Sequence, residues 1–392
     1  MRNARQCRRA VALAAGMTIA GAAAAQSNVT LYGMVDSAVT YVNNQNGASN
    51  VYLRQGNLYA SKWGLRGRED LGGGTAAIFD VQAGFDLNTG AAASAGQLFN
   101  RQAFVGLQDN KFGTATIGRQ YTPYYQFVGP LTGSNLLTGA TGAHPGDIDG
   151  LDTTIRINNS IVYTTPTYAG LQASVMYAFG GQAGSTGKGS TISAALRYDN
   201  GPVSVGAGYL RLNNAATTTG FDSASTGSFG TSVLNQGYVS ARALEQWAAA
   251  GNYSFGNFVL GANISHVTYL PGSRSIFTDS AIFNTVGVLG VYKLTPAFDV
   301  GAGYSYTAAT SANGVTDSAR YHQFSLREYY RLSKRTVLYA LQAYQHASGQ
   351  TLGKNGAGNI IAASPAVGDS QNLTGSSTSG QFVGMLGMAV IF

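Results

Sequence analysis

The residue types that most often carry catalysis or bind metals are scarce in this 392-residue chain and badly spaced for the work. It has four histidines, His144, His266, His322 and His346, a single cysteine, Cys7, and three glutamates, Glu69, Glu245 and Glu328. No histidine has a second one four residues away on the same helical face, and no cysteine pair exists to complete a zinc site. A hydrolase needs a nucleophile beside an oriented base, and no recognisable motif supplies one. Three scattered glutamates do not make a dedicated carboxylate pair. Gly72-Gly73-Gly74 reads as a turn, because no strand–helix unit with Lys-Ser/Thr follows it as a phosphate-binding loop requires. The expectation is a protein that is not an enzyme, with no cofactor and no metal.

Composition narrows the class. Charged residues are 10% of the chain, where about 25% is usual in globular domains. Glycine is abundant at 53 residues and tyrosine at 23, against 2 tryptophans. Arg2, Arg5, Arg8 and Arg9 precede an apolar run, Ala10 to Ala25, that ends in alanines. That order reads as a secretory signal over 1–25, cut before Gln26; the run is shorter than the ~20 residues a membrane-spanning helix needs. Without it the net charge falls from +7 to +3 and the only cysteine is lost. The basic balance is then mostly a property of the export tag, so nucleic acid is not an expected partner. No disulfide is available either.

Period-two alternation runs along the remainder, which is read as one domain, 26–392. Val29, Leu31, Gly33, Val35, Ser37, Val39 and Tyr41 alternate with Thr30, Tyr32, Met34, Asp36, Ala38 and Thr40. The same sorting recurs over Leu171–Phe179, Val203–Tyr209 and Val337–Ala343, with Leu338 an exception. A strand sorts residues this way and a helix scatters them. Tight turn signals at Glu69–Gly74, Asp109–Gly113, Thr165–Gly170, Asp199–Pro202, Phe255–Asn257, Thr295–Ala297 and Ser333–Arg335 alternate with longer polar stretches. These lie near 43–58, 88–96, 122–154, 181–190, 213–243, 270–282, 309–318 and 348–378. Fifteen connections imply sixteen strands in an all-β, antiparallel up-and-down barrel. Lipid cannot satisfy backbone amides, so only helices or closed sheets span it. A ring this wide encloses water, whereas about eight strands would be filled by side chains. The last strand ends on Phe392 itself and is expected to close against the strand near Val29, removing both sheet edges.

Asn28-Val-Thr-Leu-Tyr-Gly33, Ser61-Lys-Trp-Gly-Leu-Arg-Gly-Arg-Glu-Asp-Leu-Gly-Gly-Gly74, Phe99–Leu107, Phe112–Tyr121, Arg156–Ser160 and the terminal Phe392 together resemble the trimeric general porins of Gram-negative outer membranes, particularly the β-proteobacterial type. The resemblance implies a homotrimer of barrels in outer-membrane lipid with both termini periplasmic, and Phe392 as the assembly signal. It implies that the third long loop, matching 122–154, folds into the lumen and carries Asp147, Asp149 and Asp152 to a constriction. It places basic residues on the facing wall: Lys62, Arg101 and Arg156, and further Arg66, Arg68 and Arg119. Lys62 stands where close relatives often have arginine, keeping charge without the planar fork. Alternation assigns some of these sides. With Trp63 and Leu65 outward, Lys62, Arg66 and Arg68 point inward; with Ile155, Ile157 and Ile161 outward, Arg156 does too. Arg101 shares parity with Val105 and Leu107, and Arg119 with Ile117, so their sides stay open.

The function expected is passive diffusion of small hydrophilic solutes and ions, with weak anion preference from the fixed positive charge. Most tyrosines are read as an interfacial girdle, and a minority could form a sugar-stacking track. The competing readings are a sugar- or organic-acid-specific channel on the same barrel and a surface adhesin without a pore. Strict turn–loop alternation argues against the adhesin, since a solenoid repeats at fixed period.

Overall fold

The computed structural model describes residues 28–152, 155–214, 230, 232–369 and 374–392. The signal expected over 1–25, and its cut, lie outside these residues. The chain forms β1 (Asn28–Gln45), β2 (Ala48–Gln55), β3 (Lys62–Gly72), β4 (Thr75–Gly84), β5 (Gln102–Asp109), β6 (Gly113–Tyr121), β7 (Arg156–Thr164) and β8 (Leu171–Ala178). It continues with β9 (Thr191–Asn200), β10 (Val203–Asn213), β11 (Ala243–Phe255), β12 (Phe258–Leu270), β13 (Ala281–Lys293), β14 (Phe298–Ala309), β15 (Arg320–Arg331) and β16 (Thr336–Ser348). A short hairpin, β17 (Gln350–Gly353) and β18 (Gly356–Ala362), interrupts the last connection before β19 (Gly380–Ile391).

Seventeen of these segments make one antiparallel sheet. They amount to sixteen staves, because β2 and β3 both pair with the same edge of β1, over Ser37–Gln45 and Asn28–Met34 respectively. On its other edge β1 pairs with β19, from Met34 opposite Ile391 to Val42 opposite Val383. Gly33 and Phe392 exchange both backbone hydrogen bonds at 2.9 Å. The sheet is therefore closed, and no strand edge is left to recruit another chain. The barrel of sixteen strands read from the sequence is the barrel observed.

The alternation sorts outer from inner faces as the pleat demands. Val29, Leu31, Val39 and Tyr41 are exposed on the outside of β1, while Asp36, Ala38, Thr40 and Val42 are buried on the inside. β19 behaves likewise, with Leu386 and Met388 outward and Val383, Met385 and Ala389 inward. β16 reverses the rule: Val337, Tyr339, Leu341 and Ala343 are buried inside and Leu338 faces out. The inner wall can be apolar there because loop segments pack against it, with Leu58 and Val367 in the same cluster.

The seven expected tight turns are all present. The first long connection differs. Instead of a loop over 43–58, the strands run on to a two-residue turn at Asn46-Gly47, with φ of 52° and 102°. Left-handed angles at both central residues suit Asn-Gly and match the twist of the flanking strands. The irregular part is 56–61, between β2 and β3. It turns inward because the buried Asp36 carboxylate accepts the backbone N–H groups of Leu58 and Tyr59 at 2.9 Å and the Tyr339 hydroxyl at 2.5 Å.

Candidate functional site

The segment between β6 and β7 lies inside the barrel. It opens with the helix Pro123–Val128, where the Thr122 hydroxyl caps the Tyr125 N–H at 3.1 Å and Pro123 sets the first turn. Tyr124, Val128, Leu131, Ile148 and Leu151 pack with Leu210, Leu244, Val267, Tyr269 and Phe283 from the inner wall of β10 to β13. An apolar core fills that side of the lumen.

Polar anchors fix the rest of the segment. Arg327 on β15 donates to the carbonyls of Leu136 (2.9 Å) and Leu137 (3.2 Å), and it is held by Asp299 at 2.5 Å, which also meets Arg331 at 2.7 Å. The Gln246 amide donates to the Ile148 carbonyl at 2.9 Å. Asp149, fully buried, sits 2.6 Å from His144 Nδ1 and accepts the Ser265 hydroxyl at 2.5 Å. Burial pushes the Asp149 carboxyl up, but the attraction of His144 and the hydrogen bonds from His144 and Ser265 outweigh it and hold the group below the usual carboxylate range. Asp147 takes φ of 46° and accepts the Asp152 N–H at 2.9 Å.

The opposite half of the lumen stays open, as a cavity of about 810 Å³. Lys62, Arg101 and Arg156 line it from the wall and Asp152, Tyr125 and Asn135 from the inner segment, with Asp86 and Asp369 at other points. Arg101 and Arg156 converge on the Tyr121 ring, 5.8 and 5.5 Å from its centroid. Arg101 is almost fully buried; its Nε donates to Gln82 at 3.0 Å, and its Nη2 has no hydrogen-bond partner among the described residues.

The structure thus brings together four of the nine charged positions and separates the others. Arg66 and Arg68 share the inner face of β3 with Lys62 but lie beyond the cavity; Arg66 stacks over Tyr32, 4.6 Å from its centroid. Arg119 takes the other face: it stands opposite Ala103 as Ile117 stands opposite exposed Val105. Its guanidinium donates to the Asn100 carbonyl at 2.8 Å and to Asn158 at 2.6 Å. Asp147 and Asp149 are turned away from the cavity into the anchoring network.

Arg156 reaches the cavity by a route that parity did not foresee. Ile155 and Ile157 are buried in the inner core, and only Ile161 faces out. Between the pairs Gly118–Ser160 and Gln120–Ile157, two residues of β7, Asn158 and Asn159, face one of β6, Arg119, with Asn159 at φ of 53°. Such a bulge resets which side each residue takes. Arg101 precedes β5 in irregular backbone, so alternation did not apply to it. Asp369 carried no sequence signal. It belongs to the last long connection, and the backbone path that returns it to the lumen depends on contacts far away in the chain. Arg54 lies 3.9 Å from it.

A family model described as Gram-negative porin matches residues 10–350. Outer membrane porin protein 32 of Delftia acidovorans is 30% identical, over 91% of this chain and 94% of that one. An outer membrane porin protein of Bordetella pertussis is 29% identical, over 86% and 92%. Among solved structures, the anion-selective porin from Comamonas acidovorans superposes with a TM-score of 0.71 at 23% identity, over 94% of this chain and all of that one. A sealed barrel around a charged, solvent-sized passage, together with a family match over most of its length, makes this chain a member of the Gram-negative porin family, a passive channel of the outer membrane.

Proposed function

We propose that the passage beside the inner segment is the constriction through which small hydrophilic solutes and ions diffuse, with a weak preference for anions. The observation that carries the preference is the convergence of Lys62, Arg101 and Arg156 on one cavity. Three cations and three carboxylates, Asp86, Asp152 and Asp369, line the cavity, and Arg54, behind the lining, stands 3.9 Å from Asp369 and offsets its charge. Arg66 and Arg68 extend the basic inner wall past Asp80. The field runs from this wall to Asp152. Polar solutes align in it, whereas apolar ones must displace ordered water.

Chains of this kind are read as homotrimers with both termini periplasmic, exported by a signal over 1–25, and with Phe392 as the assembly signal. The exposed apolar outer face supports the lipid setting. Reconstitution in a planar bilayer under a salt gradient tests the proposal: a reversal potential of anion-selective sign at low ionic strength is expected, and a clear cation preference would refute it. The Tyr121–Tyr125 ring pair, 5.1 Å apart beside two guanidiniums, favours organic acids as a second reading, which requires saturable block of the current by its solute.

A further inference from the structure

A row of three glutamines crosses the inner face of the barrel where the sheet closes. Gln323 on β15 stands directly opposite Gln345 on β16, and Gln345 opposite Gln381 on β19. All three are buried. None faces water, and none is used only to brace the wall. Their side-chain oxygens accept three successive backbone N–H groups from the last long connection: Ala366 to Gln345 at 2.9 Å, Val367 to Gln381 at 2.8 Å and Gly368 to Gln323 at 3.0 Å. Their amide nitrogens are committed as well. Gln323 donates to the carbonyls of Thr141 (3.1 Å) and Ala143 (2.7 Å), Gln345 to Gln323 at 2.7 Å, and Gln381 to the carbonyls of Asn44 (2.7 Å) and Thr374 (2.9 Å).

Gln323 therefore grips both lumen segments at once, the one after β6 and the one before β19. The two segments also bond directly, Asp369 N–H to the Ala140 carbonyl at 3.0 Å and Gly146 N–H to the Gly368 carbonyl at 2.9 Å. They approach so closely that a Cβ on Gly368, whose φ is 75°, would stand 2.1 Å from the Ala140 oxygen. Ala140 is tied in turn to the inward break between β2 and β3, through its N–H to the Asn57 carbonyl at 2.9 Å.

We infer that this glutamine row is a clamp that sets the width of the channel. It holds the 366–369 turn down inside the barrel against 140–146, shuts that side of the lumen, and delivers Asp369 to the edge of the remaining passage. The clamp rests on the channel reading above. Buried amides suit this work: each offers one acceptor and two donors without a charge to desolvate, so a backbone strand can be gripped with its groups satisfied.

The test is single-channel recording of the full chain in planar bilayers, with the double variant Gln323→Leu/Gln345→Leu and, separately, Gly368→Val. The second variant changes no strand residue, so it carries the test if the first does not assemble. Resistance of the unheated barrel to SDS reports folding. Both variants should raise the unitary conductance roughly twofold, since the narrowest water-filled section dominates the resistance of a pore. Folded variants that keep the unmodified unitary conductance would overturn the clamp. Absence of steps from the unmodified protein would instead overturn the channel reading on which it rests.

Discussion

Replacing Arg156 by glutamine keeps much of the side-chain length and hydrogen-bonding capacity but removes one charge from the passage. Arg156 sits 5.5 Å from the Tyr121 centroid and lines the 810 Å³ cavity, so an ion in transit passes within about 6 Å of the guanidinium. In water-like surroundings a unit charge at about 6 Å is worth about 0.7 kcal/mol. With a Debye length of about 10 Å at 0.1 M salt, roughly half of that survives, about 0.4 kcal/mol. The anion gains this and the cation loses it, so their ratio in the constriction should fall about 3.5-fold at 0.1 M. At 1 M the Debye length shrinks to about 3 Å and the same substitution should change the ratio only about 1.4-fold. Reversal potentials of unmodified and Arg156→Gln channels under matched gradients at both salt levels read these ratios directly. A ratio that does not move at low salt, or that moves equally at both salt levels, would refute the electrostatic reasoning.

The Asp149 anchor gives a pH dependence of definite sign. A carboxyl held below its ordinary value stabilises the native arrangement fully above about pH 4 and loses that contribution as pH falls through the lowered value. Current noise from a loosened inner segment should therefore grow below about pH 4, and Asp149→Asn should show it already at pH 7. Asp299→Leu leaves the Arg327 and Arg331 guanidiniums without their shared carboxylate, 2.5 and 2.7 Å away. Breaking a buried pair costs about 3–5 kcal/mol, with less expected from the half-exposed Arg331 side, so the heated-gel unfolding temperature should drop while Glu328→Gln leaves it nearly unchanged. Phe392→Ala removes the ring that lies over Gly33, where a Cβ would stand 2.5 Å from it; the yield of folded barrel should fall, and an unchanged yield would remove its assembly role.

Much of the fold was legible in the residues because a strand with lipid on one side has only one way to arrange its side chains. Val29, Leu31, Val39 and Tyr41 face out for that reason, and Gly, Pro, Asn or Asp marks six of the seven turns, all but Ser333–Arg335. Asn46-Gly47 carried an equally local signal that was read as part of a long loop; the dipeptide itself specifies the tight hairpin. Motif resemblance pointed to nine charged positions, and four of them, Lys62, Arg101, Arg156 and Asp152, line the cavity.

The tertiary structure alone decided what fills the other half of the barrel. Parity assumes an unbroken pleat and a wet interior, and both assumptions fail locally. A bulge at Asn159 turns Ile155 and Ile157 inward, an apolar core beneath the inner segment makes apolar inner walls on β10 to β13 favourable, and Leu58 and Val367 do the same for β16. The resemblance implied Asp147 and Asp149 as pore carboxylates, but they meet Asp152, His144 and Ser265 in the anchoring network, partners that the folded path fixes. Asp369 and the glutamines that place it come from residues far apart in the chain. Periodicity within a strand fixes which side a residue takes; which distant segment it meets on that side depends on the closure of the whole ring.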